Sequence, residues 1–165
     1  MRNSIKNFGD ASLFMGMHST DETTRIACKL FFVERFHDSI AMSYEQVGRC
    51  DDVVWGYERE VQDAYYPFMD NLHTDMEIRR FAYDEADLRL AQDSSLLREL
   101  AAADRLLLAM VMNRGGVLYS VNRRLLGRTW LPVRAPPAGP ERMFPAALEE
   151  LYRRSLQLRV TTHNI

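Results

Sequence analysis

Three acids, Asp10, Glu45 and Asp104, stand beside short apolar runs that read as strands or as a helix feeding one. Asp10 closes "SIKNFGD", Glu45 follows "DSIAMS", and Asp104 heads "RLLLAMVMNRGG", which leads into "VLYSV". In parallel sheets, ligands and chemistry gather beyond the carboxyl ends of the strands. That order would therefore bring carboxylates from distant parts of the chain to one edge. Such groups repel: two like charges roughly 4 Å apart cost about 4 kcal/mol at an effective dielectric of ~20. A cluster of this kind binds a cation or raises the pKa of one member. Each acid also has a plainer reading, as the cap or first-turn residue of a helix.

The elements that must position these residues follow a strand–helix alternation. After "SIKNFGD", the segment "TDETTRIACKLFFVERF" reads as a helix with Thr20 as its cap and a stripe of Ile26, Leu30, Phe31 and Val33. "DSIAMS" is a strand and "YEQVGRCDDVVWGY" a helix; "EREVQDAYYPFMDNLHTDM" is a second helix, interrupted at Pro67. "EIRRFAY" alternates as a strand over 77–83, with Ile78 and Phe81 as core candidates, and "DEADLRLAQ" is a helix. One or two helices then lie in "SSLLRELAAADRLLLAMVMNRG", ending at Gly115-Gly116, where glycine suits a helix C-terminus. "VLYSV" is a buried strand, "NRRLLG" a helical turn, and a further strand lies around Trp130–Val133. "APPAGPER" links to a last amphipathic helix, "FPAALEELYRRSLQL", and the tail "RVTTHNI" adds a strand or frays. The expectation is one α/β domain over 1–165: a three-layer sandwich with a mainly parallel central sheet, its core in 5–135 and its C-terminal helix and tail in 141–165.

Composition bounds the function. The chain has 165 residues, is 47% hydrophobic and 27% charged, and carries a formal net charge of −2. No apolar run approaches the roughly 20 residues that span a bilayer, so no membrane partner is expected. "MRNSIKNFGDASLF" lacks the uninterrupted apolar stretch of a secretory signal. Cys28 and Cys50 lack metal-ligand spacing and read as reduced thiols in a cytoplasmic protein. The halves differ in charge: residues 1–100 hold 11 Lys/Arg against 19 Asp/Glu, net −8, and residues 101–165 hold 10 Arg against 4 acids, net +6. A basic C-terminal half suits phosphate contacts, and a solvated surface explains it as well.

The ordered motifs resemble the PIN-domain family, the metal-dependent ribonuclease fold of many toxin–antitoxin toxins and RNA-processing enzymes. The resemblance covers about residues 5–126. It is carried by "FGDASLF", with Asp10 and Ser12, and by Asp104, the glycine turn, Ser120 in "VLYS" and the 18-residue separation from Asp104 to Asn122. It implies a PIN-like fold and a metal site of Asp10, Asp104 and an acid after the second strand. Glu45 and Asp52, seven apart on one helix face, both suit that corner. Mg²⁺ or Mn²⁺ would be held by oxygen ligands and would activate water against an RNA phosphodiester, with Ser12 and Ser120 hydrogen-bonding ligands and Asn122 at the fourth corner. The family has an acid there, so Asn122 leaves a reduced site. Two functions follow: an endoribonuclease acting through Asp10, Glu45 and Asp104, or a catalytically weak or inactive PIN-fold protein serving as an interaction or regulatory module.

Other residues carry less. His18 and His73 are isolated and read as packing or surface residues. The stretch holding Tyr65, Tyr66 and Phe68 suits base stacking, a core or a homodimer interface, and the interaction reading uses it to bind a protein partner. Arg123 and Arg124 follow the site strand and suit a phosphate or a solvated turn equally. An aspartyl-nucleophile phosphatase needs a second Asp where Ser12 stands, no phosphate-cradling glycine loop is present, and no nucleophile elbow supports Ser or Cys catalysis.

Overall fold

The computed structural model describes residues 4–161 and 165. Its first half contains β1 (Asn7–Gly9), α1 (Ala11–Gly16), α2 (Glu22–Glu34), β2 (Ala41–Ser43), α3 (Tyr44–Trp55), α4 (Arg59–Asp75) and β3 (Arg79–Phe81). The second half contains α5 (Glu85–Asp93), α6 (Ala102–Asn113), β4 (Val117–Tyr119), α7 (Arg123–Leu126), β5 (Val133–Arg134) and α8 (Ala146–Ser155). The strands form one sheet in the order β3-β2-β1-β4-β5, and every neighbouring pair is parallel. Phe8 lies in register with Ala41 on one side and Leu118 on the other, so β1 occupies the centre.

Side chains of a strand alternate between faces, and the two faces collect separate cores. Phe8, Ala41 and Leu118 pack with Ala91 of α5, Leu107, Leu108 and Val111 of α6 and Leu125 of α7. Met42 and Tyr119 point the other way, into a core built from α1, α2, α3, α4 and α8. The expected three-layer α/β sandwich is therefore the observed one, with an entirely parallel sheet. No helix among the described residues is long and apolar enough to cross a membrane, and both cysteines are free and buried.

Local chemistry explains most boundaries. Asp21, not Thr20, caps α2: its carboxylate accepts the Thr24 N–H at 3.1 Å, a stronger acceptor than a threonine hydroxyl. Proline does not interrupt α4, which runs through Pro67. The cost of a missing hydrogen bond there is offset by burial of Tyr65, Phe68 and Leu72 in the core shared with Leu148 and Tyr152 of α8. Gly115 ends the last turn after α6 at φ +59°, a conformation glycine adopts without strain. A Cβ on Gly116 would come within 2.5 Å of the Phe8 ring, so the chain enters β4 only with glycine there. The strand expected around Trp130 begins later, at Val133, and Trp130 is exposed. In the tail, Val160 forms a parallel bridge with Ser19, while residues 162–164 of "RVTTHNI" lie outside the described residues.

The chain returns from the linker to α2 through buried charges. Lys29 Nζ, in a side chain only 1% exposed, lies 2.7 Å from Glu149 Oε1 and 4.7 Å from the centre of the Tyr152 ring. Glu149 Oε2 also accepts the Phe144 N–H at 2.9 Å. Arg25 donates to the Tyr152 hydroxyl at 2.8 Å, and that hydroxyl donates to the Met17 carbonyl at 2.8 Å. His18 is fully buried among Tyr65, Phe68 and Tyr152, with Nε2 at 2.8 Å from Ser155 Oγ. Its packing role is as expected from the sequence.

Two stability measurements check this arrangement. Glu149→Gln leaves the buried Lys29 with only Glu141, 4.0 Å away, as counter-charge, and is expected to lower unfolding free energy by about 3 kcal/mol in urea titrations. Burial, reinforced by Arg159 and Arg25, pushes the His18 pKa down to about 3. Between that value and ~6.5, the unfolded chain binds a proton that the native state refuses, so stability is present above pH ~6.5 and is lost as pH falls. Urea titrations at pH 6.5 and pH 5 should differ by about 2 kcal/mol from this residue.

Candidate functional site

Asp10 ends the central strand and caps α1. Its Oδ1 accepts the Leu13 N–H at 3.0 Å and the Ser12 hydroxyl at 2.7 Å, and its Oδ2 accepts the Ser120 hydroxyl at 2.5 Å. The two serines are themselves held. Ser12 Oγ accepts the Val121 N–H and Ser120 Oγ the Asn122 N–H, each at 3.0 Å. This web joins the carboxyl ends of β1 and β4. Burial raises the Asp10 pKa; the three hydrogen bonds oppose that rise, and the nearby negative charge of Asp104 adds to it.

Asp104 reaches the same place from the first turn of α6, and it is 8% exposed. No hydrogen bond or ion pair among the described residues engages its carboxylate. From the facing helix come Gln46 and Arg49, and Asn122 arrives from the end of β4. Together with Ala11, Ser12, Leu107 and Ile165 they enclose a cavity of about 10 Å³, the room of one water-sized group. Ser43 caps α3 by accepting the Gln46 N–H at 3.1 Å, which places Gln46 in the first turn. Its Oε1 accepts the Ala11 N–H at 2.8 Å; its Nε2 is buried and has no hydrogen-bond partner among the described residues.

The expected second acid is elsewhere. Glu45 precedes Gln46 by one residue, a rotation of roughly 100° about the helix, and it lies beside Tyr83, where its charge helps raise the phenol pKa behind the larger effect of burial. Asp52 is exposed farther along α3, and Asp51 accepts the Tyr66 hydroxyl at 3.0 Å. Neither Glu45 nor Asp52 lines the cavity. Of the expected ligands, the fold gathers Asp10, Asp104, Ser12 and Asn122 around it, with Ser120 behind Asp10. Asn122 Oδ1 is occupied as the cap of α7, accepting the Arg124 N–H at 3.0 Å. Sequence reasoning missed Gln46 and Arg49. The available signal was Ser43 as the cap of α3, which places Gln46 in the first turn at the carboxyl end of β2, although its side chain bonds Ala11 instead of closing a capping box.

This donor set does not fit the divalent-ion site that the resemblance implies. Both amide oxygens already accept backbone N–H groups, and Arg49 brings a cation to the lining. Two carboxylates remain, and Asp10 is engaged by three donors. Among the described residues, no group of three or more His, Cys, Asp and Glu side chains is placed to share an ion. Nor do Tyr65 and Phe68 offer a stacking or docking surface, since both are core residues.

The raised pKa of Asp10 has a measurable sign. Its native carboxyl holds a proton to higher pH than the unfolded one, so stability falls as pH rises through that window. The melting temperature of Asp10→Asn relative to the wild type is therefore expected to be higher at pH 8 than at pH 4.

The fold as a whole is similar to that of PAE2754 from Pyrobaculum aerophilum, known from a crystal structure, with a TM-score of 0.55 and 16% sequence identity over 93% of this chain and 91% of that one. The likeness is one of architecture. No curated protein matches the sequence. The family model for DUF6190, a family of unknown function, matches residues 1–165, and the chain belongs to that family.

Proposed function

We propose that this chain is a PIN-like RNA-binding protein that has given up metal-dependent hydrolysis and serves as a regulatory module. The PIN-like reading is supported by Asp10 with Ser12, by Asp104 and Ser120, and by their convergence at the carboxyl edge of a parallel sheet. The observation that carries the loss of hydrolysis is Gln46. It stands on the second-strand helix and lines the cavity, and its side-chain oxygen is spent on the Ala11 N–H. An amide nitrogen, its lone pair delocalised into the carbonyl, does not ligate Mg²⁺ or Mn²⁺, which take oxygen ligands, and the amide brings no negative charge. Asn122 adds no charge at the fourth corner. RNA is favoured as ligand by Arg49 at the cavity and by the exposed Arg123 and Arg124 directly after Asn122, which no ion pair among the described residues engages.

The test pairs binding with cleavage. Fluorescence anisotropy in EDTA should show saturable binding of single-stranded RNA, and the same RNA should stay intact when Mn²⁺ is supplied. Mn²⁺-dependent cutting by the wild type that disappears in Asp104→Asn would overturn the proposal. The double variant Gln46→Glu, Asn122→Asp restores four carboxylates and is expected to gain a Mn²⁺-dependent rise in melting temperature that the wild type lacks.

A further inference from the structure

We infer that the groove between α5 and α6 is a docking site for an acidic amphipathic helix of a partner protein. The inference does not depend on RNA binding. It concerns a second surface, carried by the same helix that brings Asp104 to the cavity.

Leu88, Ala91, Gln92, Ala102, Arg105 and Leu106 line a hollow of about 200 Å³ where α5 meets α6. Past the end of α5, Leu96 and Trp130 line a second hollow of about 290 Å³. Leu88, Leu96 and Trp130 are 49%, 51% and 55% exposed, three of the six exposed large apolar side chains among the described residues. Apolar side chains exposed singly are ordinary; a group of them beside open hollows marks an interaction surface. Neither hollow reaches the ~300–1,000 Å³ of a small-molecule pocket, so each suits a single projecting side chain. A helix laid along such a groove supplies those side chains three or four residues apart.

Charge selects the occupant. Glu99, the acid of the second hollow, is held by Arg128 at 3.3 Å. Arg105, the charged residue of the first hollow, has no ion pair among the described residues. Arg98, exposed two residues from Leu96, has none either. On α5, Glu85 is paired with Arg89, and Asp93 lies roughly 140° around the helix from Leu88. α6 begins at Ala102 with no side-chain cap, so its first-turn N–H groups add positive potential beside Arg105. Asp104 of that turn lines the cavity instead, roughly 200° around α6 from Ala102. The groove is thus apolar with a net positive rim, and its complement is a row of apolar side chains flanked by carboxylates. A two-fold contact between copies would set one positive rim against another. A nucleic acid offers no apolar side chain to cover Leu88 and Leu96.

The experiment selects binders of the full chain from a displayed library of helical peptides randomised at apolar and charged positions. Enriched peptides should carry Leu, Ile or Met at helical spacing with Asp or Glu beside them. Labelled and measured by fluorescence anisotropy at fixed salt, they should bind about tenfold more tightly than versions with Lys in place of each acid. Leu88→Asp is expected to weaken binding about tenfold, and Arg105→Glu to turn the preference toward the Lys versions. Melting curves check that each variant is folded, and if one fails to fold, the other decides. No enrichment, or enrichment without acids, would overturn the inference. So would an affinity unchanged in folded Leu88→Asp, or a preference for acids kept in folded Arg105→Glu. A concentration-dependent dimer in sedimentation that Leu88→Asp abolishes would also overturn it, because the occupant would then be a second copy.

Discussion

A carboxylate withdrawn from water must be met by donors, and the site of this protein is organised around that requirement at Asp10. The sheet order β3-β2-β1-β4-β5 means that the chain leaves β1 toward one edge and later returns on its other side. A crevice opens beyond the carboxyl ends where such connections diverge, here between β1 and β4. Asp10 sits at that point, and the donors it needs come from both strands' ends: Leu13 and Ser12 from the β1 side, Ser120 from β4. The bond to Ser120 spans 110 positions of sequence. Because Ser12 and Ser120 in turn accept the N–H groups of Val121 and Asn122, the exit of β4 is set by the same web. Asp10 thereby fixes the floor against which the first turns of α3 and α6 place Gln46 and Asp104.

Charge then decides what that crevice can hold. Four carboxylates in so small a space would demand a cation, whereas two, one of them saturated by three donors, do not. The amides of Gln46 and Asn122 spend their oxygens on the Ala11 and Arg124 N–H groups. They act as pieces of backbone capping, the work that side-chain oxygens do at helix starts, and bring no charge to the cavity. The local net charge falls further with Arg49. An arrangement of this kind is specific for hydrogen-bonding geometry more than for charge.

The rest of the molecule keeps this edge in place from behind. On the face away from α5 and α6, α8 closes over α4, and its anchors are polar groups sunk in apolar surroundings: Lys29 with Glu149, Arg25 with Tyr152, His18 with Ser155. Breaking one such partnership leaves a charge or donor stranded, so the C-terminal helix is bound by partner identity as well as by burial. Met17 ties this network to the end of α1, whose beginning is Asp10. The site and the C-terminal helix thus share one short helix as their common strut.

Much of this was legible along the chain. The alternation of apolar strand runs with helical stripes specified a layered α/β fold, since each element can bury only one face or stripe and needs a neighbour to cover it. Asp10 with Ser12, and Asp104 ahead of the glycine turn, were legible because their roles depend on residues a few positions away. The errors have a common origin. Thr20 against Asp21, and Pro67 inside an unbroken α4, are cases where a competing cap or a buried face outweighed local preference. The choice of Glu45 over Gln46 was a choice of residue type over direction: an acid is the chemically obvious ligand, but a step of one residue turns a side chain by roughly 100°. Only the packing of α3 against α1 determined that the amide faces the cavity and the acid faces Tyr83. The sequence by itself determined the order of elements and the two acids tied to them; which side chains meet across more than 30 residues of separation was decided by tertiary structure, because the facing of a helix is set by the core it buries against.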